Sequence, residues 1–303
     1  MKVGLYLIGA KGFSVLERLL AEYSASCIAF VVAAQDTGTE EDYFDEINAL
    51  CFEAEINFSK RSNESKELLQ ADYYFAVGWR WLIKSSSNLV VFHDSLLPKY
   101  RGFSPLVNML INGEEEIGVT ALLASDEYDR GDILDRGSVA LQYPIKISAA
   151  INLISPIYAD LAVRIYQRLL LGGDLSGQPQ DESLATYSLW RDEEDYCIDW
   201  SSSSIDIERF CNSVGYPYKG ACAYVRGDRV WISDVEPLND VFVESRKNNV
   251  GKVIFVVGGA PVVVCGTGLL KITKYRFECD GDKKINFRTR FMSLNTWCEH
   301  DSF

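Results

Sequence analysis

The feature that most constrains this chain is a rhythm in its first half. Short apolar runs stop at glycine or charged residues and give way to apolar residues at helical spacing. Val3 to Ile8 is continuous and apolar, Gly9-Ala10-Lys11-Gly12 interrupts it, and Phe13 to Tyr23 carries Val15, Leu16, Leu19 and Leu20 at helical spacing. Ile28 to Ala33 then reads as a buried strand, Glu41 to Phe52 as an acidic amphipathic helix, and Tyr73 to Val77 and Leu89 to Phe92 as further strands. Strands that alternate with helices predict a doubly wound, Rossmann-like α/β sheet, largely parallel, with helices on both faces.

The rhythm continues through a helix at Ser104 to Ile111, strands at Gly118 to Ala124 and Ile133 to Leu141, and a long helix from Ser148 to Leu171. After the break GGDLSGQP the character changes. A short helix near Ile205 to Ser213 precedes strand-like segments at Ala221–Val225, Val230–Val235, Lys252–Val257, Val262–Cys265 and Leu269–Lys274, separated by Gly, Asn and Asp turns. Strands without intervening helices predict a small β-rich, OB-like barrel. The expected division is an N-terminal domain over 1–185 and a C-terminal β-rich domain over 186–303, joined by a polar link.

Composition narrows the function. The 303 residues hold 43 acidic and 30 basic side chains, a net charge of -13, with the acids concentrated before about Asp195. Such a surface repels a polyphosphate, so nucleic acid is disfavoured as a partner, while a small anionic ligand held by a few local cations stays open. Eight cysteines (Cys27, Cys51, Cys197, Cys211, Cys222, Cys265, Cys279, Cys298) are scattered without a CxxC pair and read as reduced and structural. No metal site is expected. The opening MKVGLYLIGAKGF lacks a signal-peptide pattern and no apolar run reaches spanning length, so a cytosolic chain without a membrane partner is expected.

One of only two histidines lies in FHDSLLPKYRG. His93 follows a predicted strand, and the carboxyl ends of strands are where open α/β sheets bind ligands. Ser95-Leu96-Leu97-Pro98 makes a rigid exit. Lys99-Tyr100-Arg101-Gly102 then offers two cations, an aromatic ring and a glycine that permits close backbone approach, a composition suited to an anionic, ring-containing ligand. Downstream, Asp129-Arg130-Gly131-Asp132 follows another strand and can reach the same edge of the sheet. Asp94 and Asp132 read as turn and helix-cap acids, and His300 as a solvated tail residue.

The start lacks both the G-x-G-x-x-G and the G-x-x-x-x-G-K-[ST] spacings, so no nucleotide loop is supported, and Gly9 to Gly12 reads as a turn bordering an acceptor pocket. A Ser95–His93 hydrolase fails because residues two apart on an extended segment point the same way, and no nucleophile elbow is present.

HDSLLPKYRG, then Gly118-Val119-Thr120, then Asp129-Arg130-Gly131-Asp132-Ile133 resembles the signature of formyltransferases that use 10-formyltetrahydrofolate. VGLYLIGAKGFSVLERLL resembles that family's first strand and helix, AVGWRWLI its folate-side loop, and GQPQDESLATYSLWRDEEDYCIDW the link into the C-terminal domain of methionyl-tRNA formyltransferases and nucleotide-sugar N-formyltransferases.

The resemblance implies His93 and Asp129 as catalytic residues, acting on an amine that attacks the formyl carbon. It implies Val77, Gly78, Trp79, Arg80, Leu82 and Tyr128 around the folate. Gly9, Lys11, Ser95, Lys99, Tyr100 and Arg101 fall on the substrate side. Val91 stands where the family usually has an asparagine that steadies the formyl oxygen. Valine has no donor, so either another group, such as a backbone N–H or the Ser95 hydroxyl, replaces it or activity is altered.

Charge then favours a nucleotide-linked amino sugar, a precursor of surface glycans, over methionyl-tRNA as the acceptor, with Tyr100 or Trp190 as an aromatic surface. A homodimer is left open. A catalytically silent folate- or nucleotide-sugar-binding protein is the alternative of another class.

Overall fold

The computed structural model describes residues 1–63, 70–83, 88–279 and 283–293; Cys298 and His300 lie outside the described residues. The chain divides into two compact units. The first holds Met1–Met109, Glu114–Leu141 and Ala149–Trp190, and the second Leu110–Gly113, Gln142–Ser148 and the chain from Arg191 onward.

In the first unit, β1 (Val3–Leu7), α1 (Gly9–Tyr23), β2 (Ile28–Ala33), α2 (Phe44–Glu53), β3 (Phe58–Lys60), β4 (Tyr73–Val77) and β5 (Leu89–His93) follow in order. Then come the two-residue β6 (Arg101–Gly102), α3 (Pro105–Asn112), β7 (Glu116–Leu123), β8 (Ile133–Ala140), α4 (Ile147–Leu170) and the two-residue β9 (Tyr187–Ser188). The sheet order is β3-β2-β1-β4-β5-β7-β8. Its first five strands are parallel, while β7 runs antiparallel to both of its neighbours, β5 and β8. This is the parallel-rich, Rossmann-like sheet that the alternating pattern predicts. The order departs from β1 in both directions, so the switch point lies between β1 and β4, where such sheets open a crevice at their carboxyl edge.

α1 begins at Gly9, so Gly9 to Gly12 is the helix's first turn rather than the connecting turn expected from its glycines. Packing is the reason: a Cβ on Gly12 would approach the Leu7 side chain to 2.9 Å, so the missing side chain lets the helix start close to β1. α2 begins at Phe44, later than expected, because the Asp42 carboxylate accepts the N–H groups of Asp36 and Phe44 and holds the preceding segment as a loop. α1 buries Val15, Leu16 and Leu19. Tyr158 of α4 lies against Phe92, and Phe92 against Phe75. The other face of the sheet carries Tyr6, Phe30, Tyr74 and Leu89, with Trp79 and Val91 packed against them.

The second unit contains α5 (Ser204–Val214), β10 (Ala221–Val225), β11 (Asp228–Leu238), β12 (Val253–Val257), β13 (Ala260–Val264) and β14 (Leu269–Phe277). The strands form an antiparallel sheet in the order β10-β11-β14-β13-β12. Segment 289–292 bonds to both edges: Val253 donates to the Thr289 carbonyl at 2.9 Å, and Tyr224 exchanges backbone hydrogen bonds with Met292. That segment closes the sheet in the manner of a small barrel, which removes free edges. Ser203 caps α5 by accepting the Asp206 N–H.

Among the described residues, no helix is long and apolar enough to cross a membrane, and no group of three or more metal-ligating side chains is assembled.

Candidate active site

His93 is the last residue of β5, so it stands at the carboxyl edge of the sheet, one strand from the switch point. Its Nε2 lies 2.8 Å from the Tyr100 carbonyl oxygen. A carbonyl only accepts, so Nε2 carries a hydrogen. Nδ1 faces Asp129 Oδ1 at 3.4 Å, and both side chains are nearly buried. A proton on Nδ1 would set an imidazolium against a carboxylate in a place largely shielded from solvent.

Asp129 is held from three sides. Its backbone is left-handed, φ 57°, a conformation that a non-glycine residue keeps only when its surroundings demand it. Its Oδ2 accepts the Gly102 N–H at 2.9 Å, and its carbonyl accepts from Gln180 Nε2 at 2.7 Å. The same Gln180 amide donates to the Gly131 carbonyl at 2.8 Å. Two motifs distant in sequence thus meet at His93 and Asp129.

The loop after β5 turns its polar groups inward. Ser95 is fully buried and its hydroxyl donates to the Lys99 carbonyl at 2.7 Å. Ser95, expected on the substrate side and as a stand-in for the missing amide, thus has its hydroxyl hydrogen engaged inside the loop. Thr120 donates to the Ser95 carbonyl at 2.6 Å and accepts the Leu97 N–H at 3.0 Å.

Arg101 is also fully buried. Its guanidinium donates to Gln180 Oε1 at 2.8 and 3.1 Å and to both Glu182 oxygens at 2.7 and 2.8 Å. The hydrogen bond it donates to Glu182 raises its pKa against the pull of burial, and Tyr187 adds to the rise. Arg101, expected on the substrate side, thus has its guanidinium engaged within the protein. A charged side chain in a motif is ambiguous until its partners are known, and these partners lie about 80 residues away.

Lys11 is likewise engaged: it pairs with Asp94, whose other oxygen accepts from the Tyr158 hydroxyl. Burial would push the Asp94 carboxyl upward, but the Lys11 charge and the hydrogen bonds from Lys11 and Tyr158 hold it below the usual carboxylate range. Asp94 is thus an ion-paired anchor between α1 and β5 rather than a turn acid, and Asp132 precedes a strand rather than capping a helix.

Of the remaining substrate-side residues, Gly9 has φ 69° with open space around it, Lys99 is exposed, and Tyr100 donates its hydroxyl to Glu114 at 2.5 Å.

Val91 shares a face of β5 with His93, because side chains two apart on a strand point the same way. It packs against Leu97, Leu122 and Ile133, leaving an apolar contact where an amide would offer a donor.

At the end of β4, Val77 is fully buried, whereas the following Gly78 turns at φ 63° where a Cβ would meet the Ile8 carbonyl at 3.1 Å. Trp79 packs edge-on against Tyr6 and Trp81, and the Arg61 guanidinium lies 3.8 Å over the Trp81 ring. Arg80 pairs with the buried Asp36, and Leu82 is 79% exposed. Beside Asp129, Phe103 lies between the exposed rings of Tyr128 and Trp190, at 6.2 and 5.3 Å. Gln180 and Phe103 are the contributors that motif reading misses. The only signal for Gln180 is its place in a link read as a connector.

An open, parallel-rich sheet with a histidine–aspartate pair at its carboxyl edge is the layout of an α/β enzyme that works on a ligand seated in the crevice. The chain belongs to the formyl transferase family. The formyl transferase model matches residues 20–145, and the formyl transferase C-terminal domain model matches residues 191–293.

Curated relatives include the methionyl-tRNA formyltransferases of Methylobacillus flagellatus, 28% identical over 70% of this chain and 65% of that one, and of Carboxydothermus hydrogenoformans, 36% identical over 46% and 45%. The matches therefore span less than two thirds of these relatives. Among solved structures, the N-formyltransferase from Helicobacter canadensis with folinic acid and dTDP-3-aminofucose shares the fold at a TM-score of 0.65, 15% identity, 90% of this chain and 98% of that one. HypX from Aquifex aeolicus shares it at 0.60 and 18%, over 99% of this chain and 47% of that one.

Proposed function

We propose that this protein transfers a formyl group from 10-formyltetrahydrofolate to the amine of a nucleotide-linked amino sugar, with His93 and Asp129 as its catalytic residues. The observation that carries the reading is the His93–Asp129 pair, 3.4 Å apart, nearly buried, and held at the edge of the sheet by the Gly102 N–H and the Gln180 amide.

The segment after β4 fits a reduced pterin. Gly78 brings backbone edges close, Trp79 supplies a partly buried apolar wall, and Leu82 stands exposed beside it. When bound, the folate supplies the activated formyl group. Everything else falls to the chain. The Nε2–H of His93, which donates to the Tyr100 carbonyl, is the ring donor that can hydrogen-bond an oxygen gaining negative charge. Asp129 beside Nδ1 orients the ring and balances an imidazolium. With Val91 supplying no donor, His93 bears more of this work than it would beside an asparagine.

For the acceptor, the net charge of -13 opposes a long polyphosphate. Phe103, Tyr128 and Trp190 offer aromatic surface for a base, and Lys99 an exposed cation for a pyrophosphate. The Helicobacter canadensis structure, which holds a dTDP-sugar, supports this acceptor class. The names of the curated relatives favour a second reading, formylation of methionyl-tRNA.

Incubation with 10-formyltetrahydrofolate, a panel of dTDP-, UDP-, GDP- and CMP-linked amino sugars, and initiator methionyl-tRNA, read by mass spectrometry, separates these readings. A formyl gain on one sugar is expected. A gain on the tRNA alone would establish the second reading, and folate binding with no gain on any amine would leave a silent binding protein.

A further inference from the structure

Two cysteines of the C-terminal unit meet. Cys197 leaves the 3-10 turn Glu193–Tyr196, and Cys222 lies on β10. They form a parallel β-bridge, with the Ile198 N–H donating to the Cys222 carbonyl at 2.8 Å, and their sulfurs are 3.0 Å apart. Bridged strands stand about 4.8 Å apart, inside the roughly 4.4–6.8 Å of Cα separation that a disulfide spans. Closing the bond to about 2.0 Å between sulfurs needs a side-chain rotation and no rearrangement of strands.

The pair is asymmetric. Cys222 is fully buried, whereas Cys197 is partly accessible. The hydrogen bond from Cys222 holds the Cys197 thiol below its ordinary pKa, against burial and with help from the Arg229 charge. The same bond, with burial, pushes the Cys222 thiol far up. Cys27, Cys51, Cys211 and Cys265 are buried and raised by desolvation, to about 11 for Cys27 and about 12 for Cys51 and Cys265. Cys279 is exposed. Among the described thiols, Cys197 alone combines access, a cation and a second thiol in reach.

We propose that Cys197 and Cys222 form a peroxide-sensitive dithiol that closes to a disulfide within the C-terminal unit and reopens with a dithiol reductant. The Cys197 thiolate attacks one oxygen of hydrogen peroxide. An S–O bond forms, the O–O bond breaks, and the departing hydroxide takes up a proton as water. Cys222 sulfur then attacks Cys197 sulfur. The S–S bond forms, the S–O bond breaks, and the hydroxide leaves as a second water with the Cys222 proton. Two thiols give up two electrons, peroxide takes them, and the products are one disulfide and two waters. Closure ties residues 25 apart in sequence and fastens the chain's entry into this unit to β10.

The reduced full-length chain, treated with equimolar hydrogen peroxide and quenched in acid, tests this by peptide mapping. The expected product is a peptide joining Cys197 to Cys222 that dithiothreitol separates, with thermal unfolding of the oxidised protein raised by about 3 °C or more. In Cys222→Ala the oxidation should stop at a Cys197 sulfenic acid captured by dimedone, and in Cys197→Ala Cys222 should stay reduced. Oxidation of Cys279 without the 197–222 peptide, or a linked peptide only after denaturation, would overturn the proposal. The wild-type readout stands even if a variant fails to fold.

Discussion

Two connections leave neighbouring parallel strands at the same edge of the sheet, yet they are built in opposite ways. The segment after β5, residues 94–102, is rich in polar groups and engages nearly all of them with other protein groups: Ser95 with Lys99, Thr120 with Ser95 and Leu97, Arg101 with Gln180 and Glu182, Asp94 with Lys11 and Tyr158. The segment after β4, residues 78–83, leaves Leu82 in solvent and is tethered chiefly through Arg80 to Asp36 and through Trp79. The first is a scaffold that fixes His93; the second leaves apolar surface exposed. Charge in a motif therefore does not by itself identify the residues that touch substrate.

Mutations that act on one connection and spare the other sharpen this contrast. The largest effect belongs to His93→Ala, which should lower kcat/KM for formyl transfer by about a thousandfold with the melting temperature little changed; a turnover within tenfold of wild type would remove His93 from the chemistry. Arg101→Met comes next. It strips the partners of Gln180 and Glu182, so melting should fall by about 5 °C or more and activity should fall with it as Asp129 loosens. Arg101→Met with unchanged melting but a raised acceptor KM would place Arg101 on the substrate side rather than in the scaffold.

Asp94 gives a pH signature. Its folded pKa is depressed, so its stabilisation is present above the ordinary carboxylate range, near 4, and is lost as pH falls through the folded value. Asp94→Asn should therefore be less stable than wild type in denaturant titrations at pH 7, with the gap closing below about pH 4. A gap that stays constant down to pH 2 would show that the pair does not carry the effect. The smallest effect is Leu82→Ala, within about 0.5 kcal/mol in stability but with a several-fold weaker folate KM; an unchanged KM would break the description of the β4 connection as the open one.

The strands and helices of the first unit were legible because apolar period alone separates a buried strand from an amphipathic helix, and Ile28–Ala33 and Tyr73–Val77 match the sequence reading to the residue. The start of α1 was not, since glycine serves both turns and close packing and only the Leu7 contact tells which. His93 and Asp129 could be placed at one edge because both follow strands. The employment of Arg101, Ser95 and Lys11 could not, because each depends on a partner that local pattern does not reveal. Val91 was visible as a departure, whereas its neighbours Leu97, Leu122 and Ile133 were not.

The two-residue pairing of β6 with β9 sets an order of events on the ribosome. Gly102 has no room for a side chain, since a Cβ would stand 2.5 Å from the Ser188 carbonyl, and the Arg101 and Phe103 N–H groups are taken by the Thr186 and Ser188 carbonyls. All seven strands of the main sheet have been synthesised once Ala140 is added, but the strap that holds the loop after β5 arrives only with Gln180 to Ser188. At roughly 5–20 residues per second, a nascent chain carries the complete set of sheet strands for several seconds before it can secure the loop. The loop after β5 is thereby secured only as the last residues of the first unit are made.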